Sequence, residues 1–516
     1  MKCRYPLGFV VLALCAALSI PARLTAQQSN PHRHHYKLIE LGTFGGPTSY
    51  INPVGNGGPS VNRRGEVVGS SMTSIPIPPD QNGFSCPSPP DQVFHSMQWR
   101  NGGVIDLGPL GDASSCSNAL GINDDGVAIG VSENGRLDLV TRFLQLRAVM
   151  WKDGKIKNLG TFGGNHSYAA SINNRGQIAG FALNKVPDNF SLFAVFFGGP
   201  SAGTQTRAFL WENGHKRDLH TLGGPDALAT FVNDRTQVAG ISYTNSTPNS
   251  TTGYPTLDPF LWMKDRGMVD LGTLGGTSGA PTGLNNRGQV IGQSKLAGDQ
   301  TADPFLWDGE KLIDMFTTGI GGSFVVANGI NDAGEVVGAA AFSNNAFAAA
   351  IWRNGIVTNL GVLPGDCYSE ALVVNSHGQV VGGSFPCDFS AEHAFVWENG
   401  QILDLTKLIP PSGAQMVEPN ALNDRGEIAS DGLPPGCTDF NACSQAYVLI
   451  PCERDHSGET GCEEGVEGPT AIRNNPAPVS LNPTDLTGVG LTPREIVDQI
   501  RARFGRNRGL GSWVRK

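Results

Sequence analysis

The 516-residue sequence has few charged residues, no long internal apolar run and none of the common catalytic motifs. Charged residues make up 16 % of the chain, against roughly 25 % in an average soluble protein, and the net charge of −9 disfavours a nucleic-acid partner. No internal apolar run reaches the ~18 residues of a membrane span. The metalloprotease, α/β-hydrolase, P-loop and EF-hand patterns are absent. These absences argue against the most easily recognised enzymes, and we predict neither a metal nor a cofactor.

Glycine and proline are abundant, with 68 and 34 residues respectively. This content argues against a helical bundle, because both residue types weaken helix interiors. The apolar content of 39 % is too high for a wholly disordered chain. The composition therefore predicts a folded protein rich in turns.

The beginning of the chain is typical of an exported protein. Basic residues precede the apolar stretch 7–20, and small residues follow it, which predicts a signal peptide over residues 1–26 and a short leader over 27–35. Fourteen apolar residues are too few to cross a membrane. We therefore expect a secreted protein, with the periplasm and the cell surface as alternative locations.

A pattern Asn-x-x-Gly-x-Val/Ile-x-Gly recurs along the chain with some drift. Its leading asparagines are Asn62, Asn123, Asn173, Asn233, Asn285, Asn331, Asn375 and Asn423. These positions span 361 residues, which gives a mean period of about 52. Such a period is typical of a repeat architecture.

A second pattern is interleaved with the first. An apolar run ends in tryptophan, then Asn-Gly or Asp-Gly follows, and then a short run ends in Asp/Asn-Leu-Gly. The tryptophans are Trp99, Trp151, Trp211, Trp262, Trp307, Trp352 and Trp397. We expect Tyr447 to take the eighth place.

Each repeat therefore contains four short candidate strands joined by tight turns. Asn-Gly and Asp-Gly are strong hairpin signals, and four antiparallel strands repeated every ~50 residues fit a propeller blade. The sequence predicts an all-β propeller of eight four-stranded blades, with seven as the alternative if one divergent repeat is not a full blade.

The two ends of the repeat region predict how the ring closes. The strand at 36–40 has no preceding strands of its own, and the last repeat lacks its fourth strand. Joining them completes the last blade and hides the sheet edges. We expect the propeller to cover residues 36–452 and to be monomeric.

The combined motifs resemble the extracellular HAF-repeat family. The motif that names the family appears as His393-Ala394-Phe395, with relatives RAFLW at 207 and DPFLW at 258 and 303. The resemblance covers residues 36 to about 450. It implies an exported, propeller-like protein and implies no particular activity.

Strand alternation assigns the connections to two faces of the ring. The turns between first and second strands and between third and fourth strands are short and share one face. The remaining connections vary in length and share the other face, here called the variable-loop face, where binding is expected. One insertion on it carries Phe190, Phe193, Phe196 and Phe197, which either pack on a blade or form a wall for a ligand.

Eight cysteines remain after removal of the signal peptide, and an even number in an exported chain favours disulfides. Their positions in the repeat predict the pairs Cys86–Cys116, Cys367–Cys387, Cys437–Cys443 and Cys452–Cys462. The first three pairs should lie on the variable-loop face. Free thiols are the alternative.

Residues that occur in every repeat should serve the blade, because a catalytic site breaks the symmetry. We therefore interpret the asparagines as turn residues and the tryptophans as core between blades, with a platform for sugar rings as the alternative for the latter. The position before Leu-Gly is shared by Asp106, Asp218, Asp270, Asp314, Asp404, Asn158 and Asn359. Since Asp and Asn exchange there, hydrogen bonding rather than charge should matter.

Histidine supplies the few candidates for chemistry. His166 and His220 lie in links on the variable-loop face and are candidate general bases, with Asp226 and Asp366 as carboxylates in links of the same class. A histidine group near the mature N-terminus at 32–35 is interpreted as solvated rather than metal-binding.

Two further segments follow the propeller. Residues 453–490 are first acidic and then rich in Pro and Asn, which is typical of a linker. Residues 494–516 carry seven Lys/Arg and two acids. The sequence from Thr492 resembles a capping box with proline at the first helical position, so the basic tail over 491–516 should contain a short helix from Pro493 to about Phe504. This tail is either solvated or docked on an anionic surface or on the propeller.

The sequence thus favours a non-enzymatic binding module for an extracellular carbohydrate or protein, acting through the variable-loop face. An extracellular propeller enzyme, a glycan hydrolase or lyase, is the first alternative, because the fold alone does not exclude catalysis. A structural surface protein is the second.

Overall fold

The computed structural model describes residues 35–52, 58–78, 92–197, 203–250, 252–343 and 346–452, together with Cys462 and Ile496. The described strands form eight four-stranded antiparallel blades, and one parallel pairing, Leu257 with Ser278, joins the fourth and fifth blades into one sheet. The protein is therefore an all-β propeller, and the prediction of eight blades is confirmed.

The strands are numbered in chain order. The first is β1 (Tyr36–Glu40). Blades 1 to 4 contain β2 (Gly45–Tyr50), β3 (Val67–Pro76), β4 (Gln92–Arg100), β5 (Gly103–Asp106); β6 (Ser117–Ile122), β7 (Ala128–Leu137), β8 (Leu144–Lys152), β9 (Lys155–Asn158); β10 (Ser167–Ile172), β11 (Ile178–Pro187), β12 (Thr204–Glu212), β13 (His215–Asp218); and β14 (Ala227–Val232), β15 (Val238–Tyr243), β16 (Leu257–Met263), β17 (Gly267–Asp270).

Blades 5 to 8 follow the same order. They contain β18 (Gly275–Leu284), β19 (Val290–Leu296), β20 (Ala302–Trp307), β21 (Leu312–Asp314); β22 (Ser323–Ile330), β23 (Val336–Ala341), β24 (Phe347–Arg353), β25 (Ile356–Gly361); β26 (Tyr368–Val374), β27 (Val380–Phe385), β28 (His393–Glu398), β29 (Gln401–Asp404); and β30 (Gln415–Leu422), β31 (Ile428–Leu433), β32 (Gln445–Pro451) with β1. Short helices occur in the links at α1 (Leu192–Phe197), α2 (Met315–Thr318) and α3 (Phe440–Cys443), with a 3₁₀ turn at Leu405–Lys407.

Strand β1 closes the ring. It pairs antiparallel with β32 in a register from Tyr36 opposite Pro451 to Glu40 opposite Tyr447. The Leu41 amide also donates to the Ala446 carbonyl at 2.9 Å. The last blade is thus built from both ends of the repeat region, as predicted.

The turn residues adopt the backbone that the sequence predicts. In blade 2 the Gly126 amide donates to the Asn123 carbonyl at 3.0 Å, and Gly126 has φ +75°. The Asn213-Gly214 hairpin turn has φ of +51° and +87°, the left-handed backbone that Asn and Gly tolerate best.

The tryptophans fill the space between blades. Trp151, Trp211 and Trp262 are each less than 10 % exposed and pack against neighbouring apolar side chains. The expectation that Tyr447 occupies the tryptophan position of the last blade is wrong. In the other blades the tryptophan pairs with the first residue of the second strand, as Trp397 does with Val380. In the last blade the residue that pairs with this position, Ile428, is Leu449.

Three disulfides lie within the described residues, and they join the cysteines that the sequence paired: Cys367–Cys387, Cys437–Cys443 and Cys452–Cys462. Cys116 is also disulfide-bonded, whereas Cys86 lies outside the described residues. Across the part of the chain described here, no helix has the length and apolarity to cross a membrane.

Candidate functional site

The eight repeat asparagines form a closed ring of hydrogen bonds around the central channel. The side-chain amide of each one donates to the backbone carbonyl of its counterpart in the next blade, at 2.8–3.2 Å, and Asn423 closes the circle onto Asn62. The side-chain oxygen accepts from its own turn, as in Asn173, which receives the amides of Arg175 and Gln177. The asparagines are turn residues, as predicted, and they also join neighbouring blades.

The residue after each asparagine forms the rim of the channel. Around the ring these residues are Arg63, Asp124, Asn174, Asp234, Asn286, Asp332, Ser376 and Asp424. In six of the blade-to-blade steps the side-chain oxygen accepts from the backbone amide of the preceding rim residue, at 2.8–3.0 Å. Carboxylates therefore alternate with neutral or basic side chains, and each carboxylate is held by its Oδ1 atom.

The second oxygens of these carboxylates make longer or fewer contacts. The Arg63 guanidinium lies 3.8 Å from Asp124 Oδ2 and 3.9 Å from Asp424 Oδ2. Asn286 donates to Asp332 Oδ2 at 3.0 Å, and Asn174 to Asp234 Oδ2 at 3.5 Å. Four carboxylates against one guanidinium give the rim a formal charge of −3.

An apolar wall lies directly below the charged rim. It is formed by the residues that precede the ring asparagines, together with Pro59: Val61, Ile122, Ile172, Val232, Leu284, Ile330 and Leu422. Rim and wall enclose a cavity of about 290 Å³. A concave apolar site with a few fixed polar groups is the usual form of a ligand-binding pocket, and this one is here called the channel cup.

Blade 1 departs from the repeat at the channel cup, since residues 53–59 are extra relative to the other blades. Asn52 still donates to the Ala119 carbonyl of blade 2. The Pro59 carbonyl accepts from the Ile122 amide at 2.9 Å, and a Cβ on Gly58 would lie 3.1 Å from the Gly121 Cα. A side chain at position 58 would require blade 2 to shift by a few tenths of an ångström, so glycine favours this close approach of Gly58 and Pro59 to blade 2.

In five of the eight blades the residue after the rim residue is an exposed arginine: Arg64, Arg175, Arg235, Arg287 and Arg425. The equivalent residues of the other three blades are Asp125, Ala333 and His377. Arg64 is paired with Asp125 at 3.7 Å and Arg425 with Glu427 at 2.7 Å. The face thus has an acidic centre, surrounded by five arginines together with the acids Asp125, Glu66, Glu335 and Glu427 on the same turns.

His166 has a structural role. It is fully buried, with Nδ1 accepting from the Leu146 amide at 3.1 Å and Nε2 lying 2.7 Å from Asp138 Oδ2. Burial lowers the pKa of His166, partly opposed by Asp138. Burial raises the pKa of Asp138, but hydrogen bonds from His166 and from the Val140 amide outweigh this and bring it to about 2. With both ring nitrogens engaged, a neutral His166 has no free nitrogen to accept a substrate proton.

His220 is exposed and lies apart from the other candidates. Its φ of +69° matches Gly108, Gly160 and Gly272, which hold the same place in other blades at +66°, +74° and +71°. Its amide donates to Asp218 Oδ1 at 2.8 Å. His220 is therefore a non-glycine residue in a glycine position.

The two candidate carboxylates bind other groups. Asp226 accepts the amides of Leu192 and Thr206 at 2.6 and 2.9 Å, and burial together with the charge of Asp188 raises its pKa. Asp366 lies 3.0 Å from His393. No hydrogen bond or ion pair found among the described residues joins either carboxylate to His166 or His220.

The four phenylalanines of the insertion pack onto the protein. Phe193 is completely buried, and its ring centroid lies 4.9 Å from that of His166. Phe196 and Phe197 contact Tyr168 at 5.5 and 5.8 Å between centroids. Phe190 is partly buried. Packing on the blade is therefore seen for this insertion, with Phe193 buried and the other three phenylalanines partly exposed.

The position before Leu-Gly acts through hydrogen bonds. Its side-chain oxygen accepts the amide two residues later at 2.7–2.9 Å in seven blades, whether the residue is Asp or Asn. Within the described part of the chain, no group of three or more His, Cys, Asp or Glu is placed to hold a metal. Two of the N-terminal histidines, His32 and His34, lie outside that part.

Sequence reasoning missed a polar slot, here the pair formed by the residue four before the tryptophan on the third strand and the Asp that ends the fourth strand. Four residues before the tryptophan, His95 pairs with Asp106 at 2.8 Å and Arg207 with Asp218 at 3.0 Å. In blade 4 the same slot contains two acids, Asp258 and Asp270. Burial and the neighbouring Asp270 raise the pKa of Asp258 to about 7. An alignment of the repeats on their tryptophans would have shown that Asp258 stands where His95 and Arg207 stand in other blades.

No protein-family model and no curated protein matches the chain. Among solved structures, an acylaminoacyl peptidase of Pyrococcus horikoshii matches with 12 % identity and a TM-score of 0.39, over 75 % of this chain and 57 % of the peptidase. TolB of Acinetobacter baumannii matches with 11 % identity and a TM-score of 0.28, over 81 % of this chain and 97 % of TolB. An oligogalacturonate lyase in complex with manganese matches with 10 % identity and a TM-score of 0.34, over 81 % and 97 %. The chain spans little more than half of the peptidase, and such identities and scores carry no functional information.

Proposed function

We propose that the protein is an exported, non-enzymatic propeller of the HAF-repeat type that binds an extracellular partner at the channel cup. The observation that carries this proposal is the ordered carboxylate rim above an apolar wall. Disulfides among the described residues support an oxidising compartment outside the cytosol.

The chemistry of the cup favours a protein partner that presents a lysine or arginine side chain. The rim has a formal charge of −3, which attracts a cation, and the wall below it suits the methylene stem of a long basic residue. The surrounding arginines suit acidic residues that flank this basic residue in the partner. A neutral glycan could contact the apolar wall but would pair with neither the rim carboxylates nor the arginines around them.

This site is on the face opposite to the one expected from loop length. The phenylalanines that suggested a ligand wall on the variable-loop face are packed against Tyr168 and its neighbours. The cup, by contrast, is built from short turns that the ring of asparagines fixes in place, and it is rigid enough to bind without a large ordering cost.

The paired acids of blade 4 do not favour the enzyme alternative. The carboxyl of Asp270 lies close enough to Asp258 to raise its pKa, whereas the two carboxyls of a retaining glycosidase stand roughly 5 Å apart and those of an inverting one farther. The equivalent positions hold a His–Asp hydrogen bond in blade 1 and an Arg–Asp ion pair in blade 3. We therefore assign the pair to the blade rather than to catalysis.

The test compares two acetylated tripeptide amides, Glu-Lys-Glu and Glu-norleucine-Glu, by calorimetric or NMR titration. We expect the lysine peptide to bind and the norleucine peptide to bind at least 10-fold more weakly, with an affinity that falls as salt rises. The double variant Asp234→Asn/Asp332→Asn should lose most of the lysine binding. Its fold should survive, because Asn174 and Asn286 already serve as rim acceptors in other blades.

The matched control is Asp153→Asn/Asp265→Asn, which makes the same charge change at exposed hairpin turns and should leave binding unchanged. The same protein is applied to immobilised polysaccharides, with the supernatant assayed for released sugars. Equal binding of both peptides would overturn the cup as the site. Released sugar would establish the enzyme alternative, and retention on a glycan without peptide binding would establish a carbohydrate ligand instead.

A further inference from the structure

An apolar socket between blades 6 and 7 contains a residue from far along the chain. Ile496 has helical backbone and is only 6 % exposed. The socket is formed by residues at the variable-loop face of the two blades: Val325, Val326, Ala339, Phe347, Tyr368, Phe385 and Phe389. A side chain buried to this degree within one apolar cluster has a defined binding place on the propeller.

The aromatic side of the socket is well ordered by its own contacts. Tyr368 and Phe389 stack with centroids 4.9 Å apart and an interplanar angle of 6°, and Phe347 meets Tyr368 edge-on at 6.5 Å. Burial raises the pKa of Tyr368, which fits a site that largely excludes water. The Cys367–Cys387 disulfide ties together the two loops that carry Tyr368 and Phe389.

The sequence around Ile496 is suited to a short docking helix. Thr492 and Pro493 precede it in the order expected at a helix start, and the helical backbone of Ile496 agrees with that expectation. Residues 494–516 carry seven basic residues, and Asp388 in the blade 7 loop beside the socket is exposed. The opposite charge of Asp388 favours the approach of a basic segment.

We infer that the blade 6–7 socket is a docking site for a helical segment with a branched apolar side chain, and that its occupant is this chain's own C-terminal segment, anchored by Ile496. The contact holds Ile496 on the variable-loop face, opposite the channel cup. Because this contact and the cup lie on different faces, either can fail in experiment without the other.

The test uses the full chain with Ile496→Asp and a fluorescein-labelled peptide of residues 491–506. The wild-type chain should bind the peptide weakly because its socket is filled, and the variant should bind it because its own segment is released. The same peptide carrying the Ile-to-Asp change should bind at least about 30-fold more weakly, the loss expected for one buried branched side chain. Trypsin should cleave at Arg501 and Arg503 faster in the variant than in the wild type.

Ile356→Asp, a change on an exposed strand position, is the matched control and should leave peptide binding and cleavage at wild-type levels. Ile496→Ala is the milder second variant, with an intermediate effect, and Trp fluorescence and gel filtration verify that each variant folds. Equal cleavage of variant and wild type, or no peptide binding to either variant, would overturn the inference. A wild-type dimer that Ile496→Asp dissociates would show that the occupant is a second copy and would also contradict it.

Discussion

At the scale of single residues, asparagine is required at the ring because both ends of its side chain are used. Asn285 donates from Nδ2 to the Asn331 carbonyl at 3.0 Å and to Gln289 at 2.8 Å, while its Oδ1 accepts from its own turn. Aspartate lacks the donor, and serine lacks the acceptor-donor pair at that reach. This explains why the position stays Asn in all eight repeats, whereas the next residue varies.

Asn285→Asp should therefore destabilise the fold by roughly 2–4 kcal/mol, because it removes two hydrogen bonds and places a carboxylate against a buried carbonyl. Asn174→Asp, on the exposed rim, should cost less than about 1 kcal/mol. Urea denaturation of the two variants measures the difference. Similar costs for both would mean that the ring bonds are not what holds the blades together.

His220 provides a second test at this scale, since it occupies a left-handed position that is glycine in other blades. Relief of the strain, about 1–2 kcal/mol, exceeds the unfolded-state entropy that glycine adds, about 0.5–1 kcal/mol. His220→Gly should raise stability by roughly 0.5 kcal/mol, and His220→Ala should not. Thermal unfolding of both variants checks this, and an equal gain from alanine would refute the strain argument.

At the scale of the blade, the polar slot between the third and fourth strands holds a different pair of side chains in blades 1, 3 and 4, although the strands are arranged alike. His95 is hydrogen-bonded to Asp106 and Arg207 forms an ion pair with Asp218, whereas two neighbouring acids, Asp258 and Asp270, favour a protonated Asp258. The folded pKa of Asp258 is about 7 and its ordinary value is 3.8. A raised acid pKa means that the stability it supports is present below about pH 4 and is lost as the pH rises towards 7.

Asp258→Asn should therefore stabilise the protein at pH 8, on the order of a few kcal/mol, and change it little at pH 4, because the amide replaces the proton as a donor to Asp270. The measurement is the urea midpoint at both pH values, with Asp265→Asn as the exposed control. A stability difference that is the same at pH 4 and pH 8 would contradict the shared proton.

At the scale of the whole molecule, repetition in the sequence is sufficient to predict the propeller. The period, the Asn-Gly turns and the incomplete first and last repeats predict eight blades closed by β1. The repeat also assigns each connecting link to one face of the propeller. The disulfide pairs could therefore be predicted from the face on which each cysteine lies.

What the sequence could not predict depends on which residues become neighbours across blades. The ring of asparagine bonds, the alternating rim and the socket around Ile496 each join positions some 45 or more residues apart. The wrong prediction for Tyr447 has a local cause. The tryptophan position of the last blade is occupied by Leu449, so the sequence has no aromatic residue there to identify it. Loop length suggested the variable-loop face, but the channel cup lies where the turns are shortest.

The measurement that tests the central claim most directly is a crystal structure of the protein with the Glu-Lys-Glu peptide. We predict that the lysine ammonium lies in the channel cup, within about 3 Å of the Oδ2 atom of Asp234 or Asp332. Its methylene stem should lie against the wall formed by Val232, Leu284 and Ile330. A peptide bound on the variable-loop face, with the cup empty, would contradict the account.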